Sequence, residues 1–179
     1  QSTNRGMTEQ VLNLTPTEKE NIHFALKENL KEENRYYQYD FFLDNCTTRL
    51  RDIIEKYKQP QPLFHPVMPA NSRFRQAIHQ YLDSGKQYWS KLGIDILLGA
   101  RTDRIMTTSQ QQFLPDNLML AMDKSTPRMS LSSENLYQLT NNTDKKSWFT
   151  PLLFFSLLLG LFISLSLSKN KYAQSVLNG

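Results

Sequence analysis

One cysteine, at position 46, stands among the 179 residues. A single thiol excludes an intramolecular disulfide framework and a zinc site built from clustered cysteines. Glycine (6) and proline (8) are scarce, which excludes a collagen-like or low-complexity chain. Charge of one sign is scarce too. There are 21 Lys and Arg against 17 Asp and Glu, and two of the basic residues, Lys169 and Lys171, lie beyond a long apolar run. The first 168 residues therefore carry 19 basic against 17 acidic groups, too small a surplus for a nucleic-acid footprint. The chain also lacks an internal repeat, a phosphate-binding loop, a dinucleotide fingerprint and the HExxH zinc motif. No metal and no cofactor are expected.

The long apolar run organises the chain. Residues 147–168 carry no charge. These 22 residues would rise about 33 Å as a helix, enough for a hydrocarbon core of about 30 Å. Trp148 and Tyr172 flank the run as interfacial aromatics would, and Pro151 falls in its first turn, where a missing N–H costs little. The expected organisation is a polar domain at 1–140, a tether at 141–147, a transmembrane helix at 148–168 and a short tail at 169–179. The tether spans at most about 25 Å when extended. Lys145 and Lys146 before the run balance Lys169 and Lys171 after it, so charge leaves the orientation open. The chain starts at Gln1 and is expected to be a fragment of a longer protein.

Within the polar part, Thr15-Pro16-Thr17-Glu18 reads as a helix start with a capping box, the helix running to Lys31 with Ile22, Leu26 and Leu30 on its inner face. Residues 34–42 suggest a short extended stretch. Asp44-Asn45 offers an N-cap for a helix over 46–57 whose apolar face holds Leu50, Ile53, Ile54 and Tyr57. A proline-rich loop covers 59–69. Asn71 is a candidate cap for a third helix carrying Phe74, Ala77, Ile78, Tyr81 and Leu82 inward. A fourth helix covers 88–98 and ends at Gly99. Ser109-Gln110-Gln111-Gln112 suggests a capping box before a helix with Leu118, Met119 and Met122, and 128–139 reads as a strand.

Cys46 is the candidate nucleophile. It opens the predicted helix, where free backbone N–H groups and the positive helix end favour a thiolate. Arg49 and Arg51 add positive potential, and the same N–H groups could hold a tetrahedral oxyanion. The arrangement suits acyl transfer through a thioester. The alternative is a small buried side chain, since Cys46 lies four residues before Leu50. Asn45-Cys46-Thr47 also matches a glycosylation sequon. The departing group needs a proton, normally from histidine. His23 and His79 read as solvated helix faces, and His65, in the proline loop, is the one that could reach inward. Ten basic residues against five acidic ones between Arg49 and Arg104 suggest either contact with anionic head groups or an ordinary solvated surface.

The segment from Tyr37 to Arg49, with Asp44-Asn45-Cys46-Thr47 at its heart, resembles the cysteine motif of the Lnb N-terminal periplasmic domain family. The segments Leu97–Arg104 and Phe113–Asp116 resemble that family's second half, and the similarity covers roughly residues 5–140. The resemblance implies an α+β fold, here a helix-rich fragment of a permuted papain-like domain followed by one transmembrane helix. It implies a catalytic histidine upstream of Gln1, so the 179 residues alone are expected to be inactive. It places residues 1–147 in the periplasm of a bacterial envelope, anchored in the inner membrane. The implied activity moves an acyl chain from phospholipid to the N-terminal amine of a lipoprotein through Cys46, with Asn45 and Arg49 in support. Phospholipid and lipoprotein are the implied partners, with no nucleic acid. A cysteine peptidase or amidase of the envelope, and a non-catalytic binding module, are the alternative readings.

Overall fold

The computed structural model describes residues 6–137 and 149–177, with side chains described as far as Leu167. The chain forms two compact units, Gln1–Ala77 with Thr102–Asn141 and Ile78–Arg101 with Asn142–Gly179. The expected tether at 141–147 lies outside the described residues, as does Trp148.

The first unit mixes helices with a small sheet. Strand β1 (Met7–Leu12) pairs antiparallel with β2 (Ser130–Tyr137), Met7 facing Tyr137 and Leu12 facing Ser130. Helix α1 spans Pro16–Asn29 and opens with the expected capping box: the Thr15 hydroxyl accepts from Glu18 N at 3.3 Å, and Thr15 N donates to the Glu18 carboxylate at 2.8 Å. Its inner face differs from the expected one. Ile22 is half-buried, but Leu26 and Leu30 are exposed, and Glu18 is the buried residue of the helix. That carboxylate also accepts from Gln59 N at 2.8 Å and Lys58 Nζ at 3.2 Å, so it ties the start of α1 to the end of α2. The Gln59 and Thr15 amides hold its pKa down to about 2 against the opposing cost of burial, with Lys58 assisting.

Residues 36–39 form no strand. The chain turns at Phe41–Leu43 between paired Asp40 and Asp44 and enters α2 (Cys46–Tyr57), whose bounds match the expectation. The proline-rich loop is held by the buried Gln111, whose Oε1 accepts from Val67 N at 2.9 Å and Met68 N at 3.0 Å. Helix α3 spans Phe74–Ser84 and begins in this unit. Asn71 does not cap it. It occupies a turn with φ 61°, and the Gln76 side chain accepts from Arg73 N instead. The expected box at Ser109 is replaced by one at Thr107, whose hydroxyl accepts from Gln110 N while Gln110 Oε1 accepts from Thr107 N. The 3-10 turn Gln110–Phe113 and helix α5 (Pro115–Lys124) follow.

Two apolar groups hold this unit. Phe42, Phe74 and Phe113 are each at most 3% exposed, with ring centroids 4.6 to 6.0 Å apart. Edge and tilted ring pairs add about 0.5–1.5 kcal/mol each beyond their burial. Ile54, Leu118, Met122 and Met129 form the second group, against Leu12, Leu14 and Phe64. Both groups touch α2, one near its start and one near its end.

The second unit contains α4 (Tyr88–Leu98), with Gly99 as its cap at φ 54°, a value that glycine adopts without strain. It also contains α6 (Pro151–Leu177), which continues past the expected end at 168. Among the described residues no helix is long and apolar enough to cross a membrane.

Candidate functional site

The site forms at the start of α2, and Asn45 builds it. Its Oδ1 accepts from Thr47 N at 2.8 Å and Thr48 N at 2.9 Å, and its Nδ2 donates to the carbonyls of Phe41 at 2.8 Å and Phe113 at 3.0 Å. All four hydrogen-bonding positions of the amide are thereby in use. The Thr48 hydroxyl accepts from Asn45 N at 2.8 Å and completes a reciprocal cap. Asn45 is 4% exposed, which removes it as a glycosylation acceptor.

This cap turns Cys46 outward. Thr47, Thr48, Arg51 and Ile54 occupy the buried face of α2, while Cys46 and Leu50 are exposed together. The expectation that Leu50 marks the inner face is thus corrected, and the buried-thiol alternative with it. The helix's apolar stripe was read from side-chain type, but the amide network of Asn45 and the packing of Ile54 fix its rotation.

Asn45 also takes two of the first-turn N–H groups that were expected to be free. Cys46 N–H makes no hydrogen bond among the described residues, so it is the first-turn donor left beside the sulfur. The two arginines are committed as well. Arg49 forms a two-point ion pair with Asp44, at 2.7 and 3.0 Å, and Arg51 one with Asp52, at 2.8 and 2.6 Å. Arg51 Nη1 also donates to Ser109 O. Their positive charge is balanced beside the thiol, against expectation. The Arg49 hydrogen bonds hold the Asp44 carboxyl below its ordinary range and raise the guanidinium in turn.

Arg49 has a second contact. Its guanidinium carbon lies 3.5 Å from the centroid of the Tyr37 ring, and Tyr37 lies 6.2 Å from Tyr39, ring to ring. Desolvation first, then the charge of Cys46, then Tyr37, raise the Tyr39 phenol above its ordinary value. Tyr39 therefore lies within electrostatic reach of the sulfur, on a side chain that is 55% exposed. Sequence reading passed over this residue, because a tyrosine in an aromatic-rich loop carries no signal of its own.

Beside Cys46 runs a groove of about 420 Å³, inside the range of about 300–1,000 Å³ usual for small-molecule sites. Cys46, Thr47, Leu50 and Ile54 form one wall, Pro115, Leu118, Met119 and Met122 the other, and Gln10 with Leu12 of β1 the end. Gln10 Nε2 donates to Met119 O at 3.0 Å, which joins the sheet to α5 across it. The surface of the groove is almost wholly apolar.

None of the histidines lines this groove. His23 is exposed on α1, and His65 bonds Thr126 at 3.0 Å on the surface instead of reaching inward. His79 is half-buried in the second unit with its Nε2 at 2.8 and 3.0 Å from the Asp95 oxygens, so its expected solvated position is corrected. Among the described residues no cluster of His, Cys, Asp and Glu is arranged to hold a metal ion.

Comparison with curated proteins returns no match, and neither does comparison with solved structures. A family model, that of the Lnb N-terminal periplasmic domain, matches residues 1–77. The match covers β1, α1, the turn at Asp40–Asp44 and the Cys46 helix; the segments Leu97–Arg104 and Phe113–Asp116 lie beyond it. A periplasmic family points to an envelope protein facing the periplasm. The resemblance read from the Asp44–Arg49 motif is therefore met by the family model over residues 1–77, where the chain is similar to the Lnb N-terminal periplasmic domain.

Proposed function

We propose that this chain belongs to a membrane-anchored thiol acyltransferase of the bacterial envelope, in which Cys46 carries an acyl chain from phospholipid to the N-terminal amine of a lipoprotein. One observation carries the reading: an exposed thiol at a helix start stands on the wall of an apolar groove. A peptide bond needs polar partners along its length, whereas a fatty chain needs only apolar surface, worth about 0.8 kcal/mol per buried methylene.

On this reading the chemistry runs in two half-reactions. The sulfur attacks the ester carbonyl, a C–S bond forms, and the carbonyl oxygen takes the negative charge. Cys46 N–H is the donor to that oxygen that the cap leaves free, and Tyr39, whose phenol feels the charge of the sulfur, is the candidate for a second. The C–O bond breaks, the lysolipid alcohol leaves with the proton the thiol gave up, and a thioester remains. The lipoprotein amine then attacks the thioester, yields an amide and returns the thiol. Asn45 holds the helix start in place, and Arg49 holds Tyr37 and, through it, Tyr39. On this reading the proton shuttle is a histidine other than His23, His65 and His79, in the permuted papain-like arrangement that the family resemblance implies.

Anchoring in the inner membrane is supported by α6. Leu152, Phe155, Leu157, Leu159, Leu161, Phe162, Ile163 and Leu165 are all more than half exposed, on every side of the helix. A helix apolar all round needs lipid or protein about it. With the uncharged run of residues 147–168, this supports a membrane span that begins near Pro151.

The test is a transfer assay on the full-length protein in detergent, with diacylglyceryl peptide as acceptor and phospholipid as donor. Wild type is expected to form the N-acyl peptide, and Cys46→Ser to form at least a hundredfold less. Cleavage of peptide or cell-wall fragments without acyl transfer would replace this reading with the peptidase. Unchanged transfer by Cys46→Ser would end both.

A further inference from the structure

The second unit carries a surface that the acyl-transfer chemistry does not use. Helix α4 has its charges on one side, and both are closed against α3. Lys91 Nζ lies 2.9 and 2.8 Å from the Asp83 oxygens, and Asp95 receives His79 at 2.8 and 3.0 Å. The opposite side presents Trp89, Gly93, Ile96 and Leu97, spaced four, seven and eight residues from the first, which is one helical face. Ile96 is 73% and Leu97 83% exposed, among the most exposed large apolar side chains of the molecule.

This face is continuous with α6. Trp89 Nε1–H donates to Phe149 O at 3.0 Å, the indole stacks on the Phe149 ring at 5.8 Å, and the Phe154 ring meets its edge at 5.8 Å. The apolar strip of α4 therefore starts at the first turn of α6 and extends that helix's exposed apolar surface. A cover for one must meet the other at the same place. Lipid covers both at once, and an indole anchored at their junction suits the membrane–water boundary.

We infer that α4 is an interfacial helix whose Trp89–Ile96–Leu97 face is embedded in the phospholipid bilayer beside the start of α6. Its paired charges face α3, away from the acyl region. The inference rests on the membrane reading of α6, and the experiment separates the two.

The 179-residue chain with Cys46→Ser is reconstituted into vesicles of phosphatidylethanolamine and phosphatidylglycerol. A single environment-sensitive fluorophore is attached through Leu97→Cys on α4, Leu157→Cys on α6 or Lys19→Cys on α1. Nitroxide-labelled phospholipid is expected to quench the Leu97 and Leu157 sites several-fold more than the Lys19 site, with a blue-shifted emission at both. Quenching at Leu157 with a water-exposed Leu97 would overturn the interfacial α4 and leave the anchor standing. Absence of lipid quenching at both sites would overturn both readings. A Leu97 site shielded from lipid and from aqueous iodide alike would assign the face to a protein partner or a second copy, and would also overturn the inference.

Discussion

Asn45 does more for the site than its neighbour's chemistry would suggest. Its amide joins three segments: the first turn of α2, the turn at Phe41 and the 3-10 turn ending at Phe113. Asn45→Asp keeps the cap acceptor and removes both donors to buried carbonyls, so it is expected to cost about 2 kcal/mol. Asn45→Ala also removes the cap and is expected to cost about 1 kcal/mol more. Urea unfolding monitored by circular dichroism checks the order: equal losses would show that the cap contributes nothing, and an Asn45→Asp variant as stable as wild type would show the same of the two donors. Tyr39 is the second residue to test. Tyr39→Phe removes a hydroxyl from the field of Cys46 and leaves the ring, so acyl transfer is expected to fall about tenfold or more with an unchanged melting temperature. Unchanged transfer would remove Tyr39 from the mechanism. Gln112 offers a different kind of test. It is fully buried, and neither its Nε2 nor its Oε1 finds a hydrogen bond among the described residues. Gln112→Met is expected to stabilise the fold by about 1 kcal/mol, measured by the same unfolding curve.

Among the elements, α1 and α2 are joined by a buried ion pair whose pH dependence follows from its geometry. Glu18 has a folded pKa of about 2 against an ordinary 4.5. A lowered carboxyl stabilises the fold above about pH 4.5, and that contribution is lost as pH falls toward 2. A shift of this size corresponds to about 3 kcal/mol. Acid titration of stability is expected to show the loss in that window for wild type, and Glu18→Gln is expected to be weakened at neutral pH and flat across it. Caps decided which elements could be read from sequence. The bounds of α2 and α4 were legible because Asn45 and Gly99 act within a few residues. Residues 34–42 alternate as a strand would, yet among the described residues no strand pairs with 36–39, and Arg49 and Asp44 hold that stretch through Tyr37 instead. Strand β1 was missed, since Met7–Leu12 is mostly exposed and has no clear period. The outward rotation of Cys46 was illegible too, because it depends on carbonyls four and 68 residues away.

At the scale of the whole molecule, the second unit exposes the apolar side chains of α6. The exposed Leu and Phe side chains of α6 are expected to keep the protein in the membrane fraction after alkaline carbonate extraction. Release into the supernatant would contradict the anchor. In the first unit, the apolar groove is the place proposed for the acyl chain. Leu50 is exposed on its wall, so Leu50→Asp is expected to lower transfer more than tenfold while the melting temperature holds. The most direct measurement is mass spectrometry of the Cys46 peptide after the full-length protein has been incubated with phospholipid bearing an isotope-labelled acyl chain and no acceptor. The account predicts a labelled acyl mass on Cys46 that disappears when acceptor amine is added. A Cys46 peptide that stays unmodified while N-acyl product accumulates would contradict it.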